Sequence, residues 1–127
     1  MIIGMGVDIV RIPRINSAVE RFGDRFLQRA FCPEEIEWCM RKRDPGPCLS
    51  GRFAAKEALV KALGTGFRQG ITLRQICVRH LDNGKPELRL SGAALDTARG
   101  LGVTGVHVSI SHETEYAVAT VVVEGGN

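Results

Sequence analysis

Apolar positions along this chain follow two different periods, and the change from one to the other marks its elements. Residues 2 to 10, IIGMGVDIV, form a short apolar, β-branched run of the kind that makes a buried strand. Its two glycines mark places where backbone can pass close to another group, and Asp8 interrupts it. From Pro13 to about Leu27 the residues Ile15, Val19, Phe22 and Phe26 recur at steps of four, three and four, which predicts one helix with proline in its first turn. A second helix is predicted from Pro33 to about Arg43, with Glu34, Glu35 and Glu37 early and Arg41, Lys42 and Arg43 late, matching the helix dipole. DPGP at 44 to 47 breaks the chain, and RFAAKEALVKALGTG (52 to 66) predicts a third helix, starting around Cys48 to Gly51 and stopped by Gly64.

Beyond Gly70 the period shifts to two. Ile71 to Leu81 and Glu87 to Leu90 flank DNGK and predict a hairpin in which Asn83-Gly84 supplies the left-handed turn. Ser91 to Leu101 predicts a helix, with Ser91 as N-cap and Gly102 as stop. VHVSIS (106 to 111) and YAVATVVVE (116 to 124) predict a second hairpin. Strands and helices do not alternate as in a parallel α/β fold. The order predicts an α+β chain, helices packed on a mainly antiparallel sheet, with no repeat, linker or low-complexity segment.

At 127 residues the chain is read as one domain spanning 1–127. Its composition is globular, and disorder is expected only at the ends, such as GGN. The apolar start lacks a basic leader and meets Asp8 and then arginines, so neither a signal peptide nor a membrane span is expected. Cys32, Cys39, Cys48 and Cys77 match no CxxC pattern and are read as reduced thiols of a cytoplasmic protein. Net charge is only +3, but Arg11, Arg14, Arg21, Arg25 and Arg29 face only Glu20 and Asp24 in their segment. That basic face fits an acidic partner or an ordinary solvated helix surface.

Two carboxylates stand where the pattern asks for apolar residues. On a helical wheel Lys61 falls about 40° from Glu57, while Ala54, Ala55, Ala58, Leu59, Val60, Ala62 and Leu63 make nearly every other direction apolar. A carboxylate in such a helix needs a partner, either Lys61 or a metal. Asp8 poses the same problem: it faces a wetter side of its strand or ends in a polar site. The pair fits an oxygen-ligand divalent cation, against the plainer alternative of buried salt bridges. GTG at 64 to 66 is too short for a P-loop and reads as a helix stop. His107, Ser109 and Ser111 share one strand face, a polar row suited to phosphate or ribose hydroxyls, and no GxSxG elbow accompanies them.

Taken together and in order, GVDIVRIPRI, RFAAKEALVKALGTG, GKPELRLSGAAL and VSISHETEYAVATV resemble the holo-acyl-carrier-protein synthases, a family of phosphopantetheinyl transferases. The resemblance implies transfer of the phosphopantetheine arm of coenzyme A to a serine of apo acyl carrier protein, in fatty acid biosynthesis, releasing adenosine 3',5'-bisphosphate. It places Asp8 and Glu57 as ligands of Mg2+ and Lys61 near the transferring phosphate. Arg52, Gly64, Lys85, Pro86, His107 and Ser109 fall in segments resembling coenzyme A contacts. Arg14, Arg21 and Arg25 acquire an acidic carrier protein as partner, and single-domain members are implied to be homotrimers with sites between subunits. Glu57, directly or through a metal-bound water, is the candidate base for the serine. The competing readings are a non-catalytic basic module binding nucleic acid or an acidic protein, and a metal-dependent phosphohydrolase of another kind.

Overall fold

A buried helix lies across a three-stranded antiparallel sheet, and the rest of the chain is arranged around that pair. The computed structural model describes residues 1–126. Strand β1 (Ile2–Arg11) leads into α1 (Ile12–Phe22), α2 (Asp24–Ala30), α3 (Pro33–Met40) and the long α4 (Gly46–Leu63). A 3-10 turn at Leu73–Gln75 precedes β2 (Ile76–His80) and β3 (Pro86–Leu90), then come α5 (Gly92–Gly100), β4 (Val103–His112) and β5 (Tyr116–Gly125). The main sheet has the order β1-β5-β4, and β2 and β3 form a separate antiparallel pair. The α+β expectation holds.

Small residues let α4 and β1 touch. Gly4, Gly6, Asp8 and Val10 share the inner face of β1, and a Cβ on Gly4 or Gly6 would run into the backbone carbonyls of Ala62 or Ala58. Ala54, Ala55, Ala58 and Leu59 are fully buried, and with Ala119, Val121 and Val123 of β5 they form the centre of the core. As its composition predicts, α4 is apolar nearly all round and nearly all buried.

Several boundaries differ from the expectations. Pro13 to Leu27 is two helices: Gly23, at φ 55°, stops α1, and the chain restarts at Asp24. The apolar step runs unbroken through that glycine, which is why the period alone reads as one helix. Helix α4 starts at Gly46, inside the DPGP breaker, where Pro47 sits in the first turn without needing an amide donor. Ser91 stands at the N-cap of α5 but its hydroxyl makes no capping bond. In the hairpin turn only Gly84 is left-handed (φ 84°), and Asn83 instead accepts the Lys85 amide on Oδ1 at 2.9 Å. Gly125 is the last residue of β5 rather than a frayed end, tied to Met1 by bonds of 2.9 and 3.0 Å; Asn127 of the GGN tail lies outside the described residues.

The cysteines are not free thiols. Cys32 is disulfide-bonded to Cys77, and Cys39 to Cys48, across Cα separations of 6.0 and 5.5 Å. The first link ties the start of α3 to β2, and the second ties the end of α3 to the first turn of α4. Neither pairing could be seen in local spacing, because each joins two different elements. Beside them a fully buried ion pair joins the same parts. Lys56 Nζ donates to Glu35 Oε1 at 2.6 Å and to the carbonyls of Leu73 and Ile76 at 3.1 and 2.6 Å. Glu35 also accepts the amides of Cys32 and Val78, so neither charge is left without partners.

Candidate active site

Asp8, Glu57 and Lys61 meet where β1 runs under the last turns of α4. Asp8 lies on the glycine face of β1 and turns toward α4, which resolves the question its sequence position raised. Its neighbours Val7 and Ile9 point away from the core and are exposed, contrary to a strand buried on both faces. Lys61 does not pair with Glu57. Its Nζ lies 3.1 Å from Asp8 Oδ1 and donates to the Val7 carbonyl at 3.0 Å. Glu57 and Lys61 share a helix face, and the strand beside that face supplies the lysine's partner.

Glu57 is therefore a half-buried carboxylate without an ion-pair partner among the described residues. Burial pushes its pKa above the ordinary value, and the Asp8 charge pushes in the same direction, against the pull of Lys61 and Arg14. A carboxylate whose proton affinity is raised beside a second one, both oxygen donors on rigid elements, fits a hard divalent cation, whose charge would relieve that repulsion. Glu57 also lines a cavity of about 610 Å³ with Gln28, Arg29, Phe67, Ile71, Leu73 and Arg74. Another cluster of possible metal donors, Cys32, Glu35 and Cys77, does not fit an ion: its sulfurs are joined and its carboxylate is held by Lys56.

A second cavity, of about 580 Å³, opens near the other end of α4 and is lined by Arg52, His80, Pro86, Trp38, Lys42 and Cys48 among others. Arg52 is buried there. Its Nη2 meets His80 Nδ1 at 3.1 Å, its Nη1 donates to Cys48 Sγ at 3.1 Å, and its Nε has no partner. Burial lowers the guanidinium's pKa, and His80 is likewise lowered by burial and then by Arg52 and Lys42. His80 stacks on Trp38, and Lys42 lies over the same indole. A buried guanidinium with an orphaned N–H, beside a second cation, is a site for an anion. Trp38, Lys42 and His80 were not singled out from the sequence, because their only signal is proximity across three elements.

The remaining candidates divide. Pro86 joins Arg52 in the second cavity, and Lys85 beside it is exposed in the hairpin turn. Gly64 ends α4 at φ 80°, with its amide on the Val60 carbonyl and open space where a side chain would stand. His107 and Ser109 project from the outer face of β4, opposite the α4 face, and His107 Nε2 lies 2.7 Å from Glu124. Within one chain they do not converge on Asp8 and Glu57. Arg14, Arg21 and Arg25 are exposed, with Arg14 over the Phe53 ring and Arg21 over Phe22. The glycine break at 23 places Arg25 on a different helix from the other two.

Comparison with known proteins agrees with this geometry. Residues 4–121 match a family model described as the 4'-phosphopantetheinyl transferase superfamily. The holo-[acyl-carrier-protein] synthase of Maridesulfovibrio salexigens is 47% identical over 124 residues, covering 98% of this chain and 99% of the relative. The crystal structure of holo-[acyl-carrier-protein] synthase from Neisseria meningitidis superposes with a TM-score of 0.88 at 40% identity, covering 98% of this chain and 99% of that one. The Helicobacter pylori holo-[acyl-carrier-protein] synthase, solved in complex with coenzyme A, has a TM-score of 0.84 at 34% identity, with 94% and 99% covered. This chain belongs to the holo-[acyl-carrier-protein] synthases of the 4'-phosphopantetheinyl transferase superfamily.

Proposed function

We propose that this enzyme moves the 4'-phosphopantetheine group of coenzyme A onto a serine of apo acyl carrier protein, releases adenosine 3',5'-bisphosphate, depends on Mg2+ and serves fatty acid biosynthesis. The observation that carries the reading is the meeting of Asp8, Glu57 and Lys61 at one end of α4. Asp8 and Glu57 are the residues that would hold Mg2+, which when bound supplies charge neutralisation and orientation at the pyrophosphate. Lys61, released from Asp8, is long enough to reach a phosphate oxygen and offset the charge of the departing bisphosphate. Glu57 would take the serine proton as general base.

Arg52, with Lys42, His80 and Pro86, takes the adenosine bisphosphate end of coenzyme A, where the guanidinium and the lysine ammonium offset the phosphate charge. Lys85 flanks that cavity, and Gly64 lets the pyrophosphate approach the backbone. The outer sheet face supports a homotrimer with sites between subunits. Met5, Val7 and Ile9 are 63%, 56% and 64% exposed and run alongside Val118 and Val122, an apolar strip suited to burial against other copies. His107 and Ser109 lie on that same face, so they would reach a neighbouring subunit's coenzyme A. The exposed arginines of α1 and α2 would receive the acidic carrier. No helix among the described residues is long and apolar enough to cross a membrane, and we place the enzyme in the cytoplasm, where its substrates are made.

Incubation with coenzyme A, Mg2+ and apo carrier protein, read by intact mass, tests this reading. Gain of the phosphopantetheine mass by the carrier supports it. Cleavage of coenzyme A without that gain would mean a hydrolase, and no change in either would leave only a binding module.

A further inference from the structure

The two disulfides sit at opposite ends of α3 and face different surroundings. Cys32 and Cys77 both place sulfur against the Arg74 carbonyl, at 3.1 and 3.4 Å, beside the buried Lys56–Glu35 pair. Cys39 is fully buried, but Cys48 is 9% exposed and lines the Arg52 cavity. The loop that the Cys39–Cys48 bond closes contains Lys42, Asp44 and Pro47, all lining that cavity, and Trp38 stands just before it. One covalent bond thus holds a whole wall of the site. Arg52 Nη1 donates to Cys48 Sγ at 3.1 Å, so a thiolate released there meets a cation.

We propose that the Cys39–Cys48 disulfide is a thiol-exchange site, opened by a dithiol reductant, whose state sets the affinity of the Arg52 cavity for coenzyme A. The inference rests on the reading of that cavity given above. The reductant's thiolate attacks Cys48 Sγ, Cys48 being the member of the pair that lines the cavity. The S–S bond breaks, its electron pair leaves on Cys39 Sγ, and that sulfur takes up a proton. The reductant's second thiol then attacks the mixed disulfide and departs as a cyclic disulfide, leaving Cys48 as a thiolate beside Arg52. Two electrons pass from the dithiol to the protein. In a reducing compartment a disulfide facing a substrate cavity fits a transient, regulatory link better than a permanent one.

Opening the loop leaves Lys42, Asp44 and Pro47 ordered for only part of the time, and apparent affinity falls by that fraction. Asp8, Glu57 and Lys61 are tied by other contacts: Glu57 lies nine residues beyond Cys48, about 13 Å along α4. The KM for coenzyme A should therefore respond and kcat should not.

The test compares the oxidised enzyme with the same protein treated with dithiothreitol, the disulfide state read by iodoacetamide labelling and intact mass. Expected is a rise in KM for coenzyme A on the order of tenfold, with kcat unchanged and the rise reversed on reoxidation. Cys39→Ser, outside the cavity, should show the reduced-state KM with or without dithiothreitol. Equal KM values in two mass-verified states, a Cys39→Ser enzyme that still responds to dithiothreitol, or a Cys39–Cys48 bond that native-state dithiothreitol does not open would each overturn the proposal. Absence of transfer in both states would instead remove the coenzyme A reading on which it rests.

Discussion

Lys61 Nζ lies 3.1 Å from Asp8 Oδ1, across the gap between α4 and β1, and leaves Glu57, one turn back on its own helix, without an ion-pair partner among the described residues. The contact joins residues 53 apart in sequence and divides three charges between two tasks. Asp8 and Glu57 remain a pair of like charges that a cation would join. Lys61 is a half-exposed counter-charge held on Asp8.

Removing Lys61 separates those tasks. Lys61→Met should lower kcat on the order of 100-fold, as loss of a donor to developing charge does elsewhere. Mg2+ binding should not weaken, because the substitution removes a cation that competes for Asp8. Calorimetric Mg2+ titration beside steady-state kinetics checks both, and weakened Mg2+ affinity would argue that Lys61 belongs to the metal site itself.

If Glu57 holds the metal as proposed, metal binding and stability should be linked through it. A carboxyl whose folded-state pKa is raised contributes stability that is complete below its unfolded value and lost as pH rises through the folded one. At neutral pH the ionised Glu57 therefore costs the metal-free protein stability. Glu57→Gln should raise the melting temperature of the metal-free enzyme at pH 7, the gain shrinking as pH falls through the raised folded-state value and gone below the ordinary glutamate range, and it should abolish the upward shift that Mg2+ gives the parent protein. A variant that melts lower at pH 7 would contradict this.

The glycine face of β1 is what lets Asp8 reach α4. Gly6→Ala would put a methyl group into the Ala58 carbonyl, and overpacking of this kind costs about 1–3 kcal/mol or more. Urea unfolding should show that loss, and activity in the folded fraction should fall as Asp8 moves off. Unchanged stability would mean that the strand and helix are not in close contact.

The basic surface should govern encounter with the carrier. Arg21→Glu with Arg25→Glu should raise the carrier protein's KM and flatten its dependence on salt, with the KM for coenzyme A unchanged. An unaltered carrier KM would rule out this face. Arg14 is less suitable, because it lies over Phe53 and its charge acts on Glu57.

Much of this was legible in the residues, and what was not has physical reasons. The burial of α4 followed from an apolar circumference, and its end from Gly64. That Glu57 and Lys61 share a face followed from helical spacing, but spacing within one helix says nothing of the strand that takes the lysine. Asp8 could have been placed by parity, since Gly4 and Gly6 share its face and make room for a helix. The break at Gly23 was visible as a glycine and hidden by the apolar step that runs through it. The disulfides, the Lys56–Glu35 pair and the Trp38–His80 stack each join separate elements. No local pattern records such contacts.

Asp8 and Glu57 are proposed to hold together the Mg2+ that phosphopantetheine transfer needs. The most direct test is the rate of mass gain on apo carrier protein, measured against Mg2+ concentration for the parent enzyme, Asp8→Asn and Glu57→Gln. Expected are saturable Mg2+ dependence in the parent, loss after chelation, and a fall exceeding about 100-fold in each folded variant, since even outer-shell partners of a metal are worth about 10- to 100-fold. Transfer by folded Glu57→Gln at the parent rate, or a parent rate indifferent to chelation, would contradict the proposal.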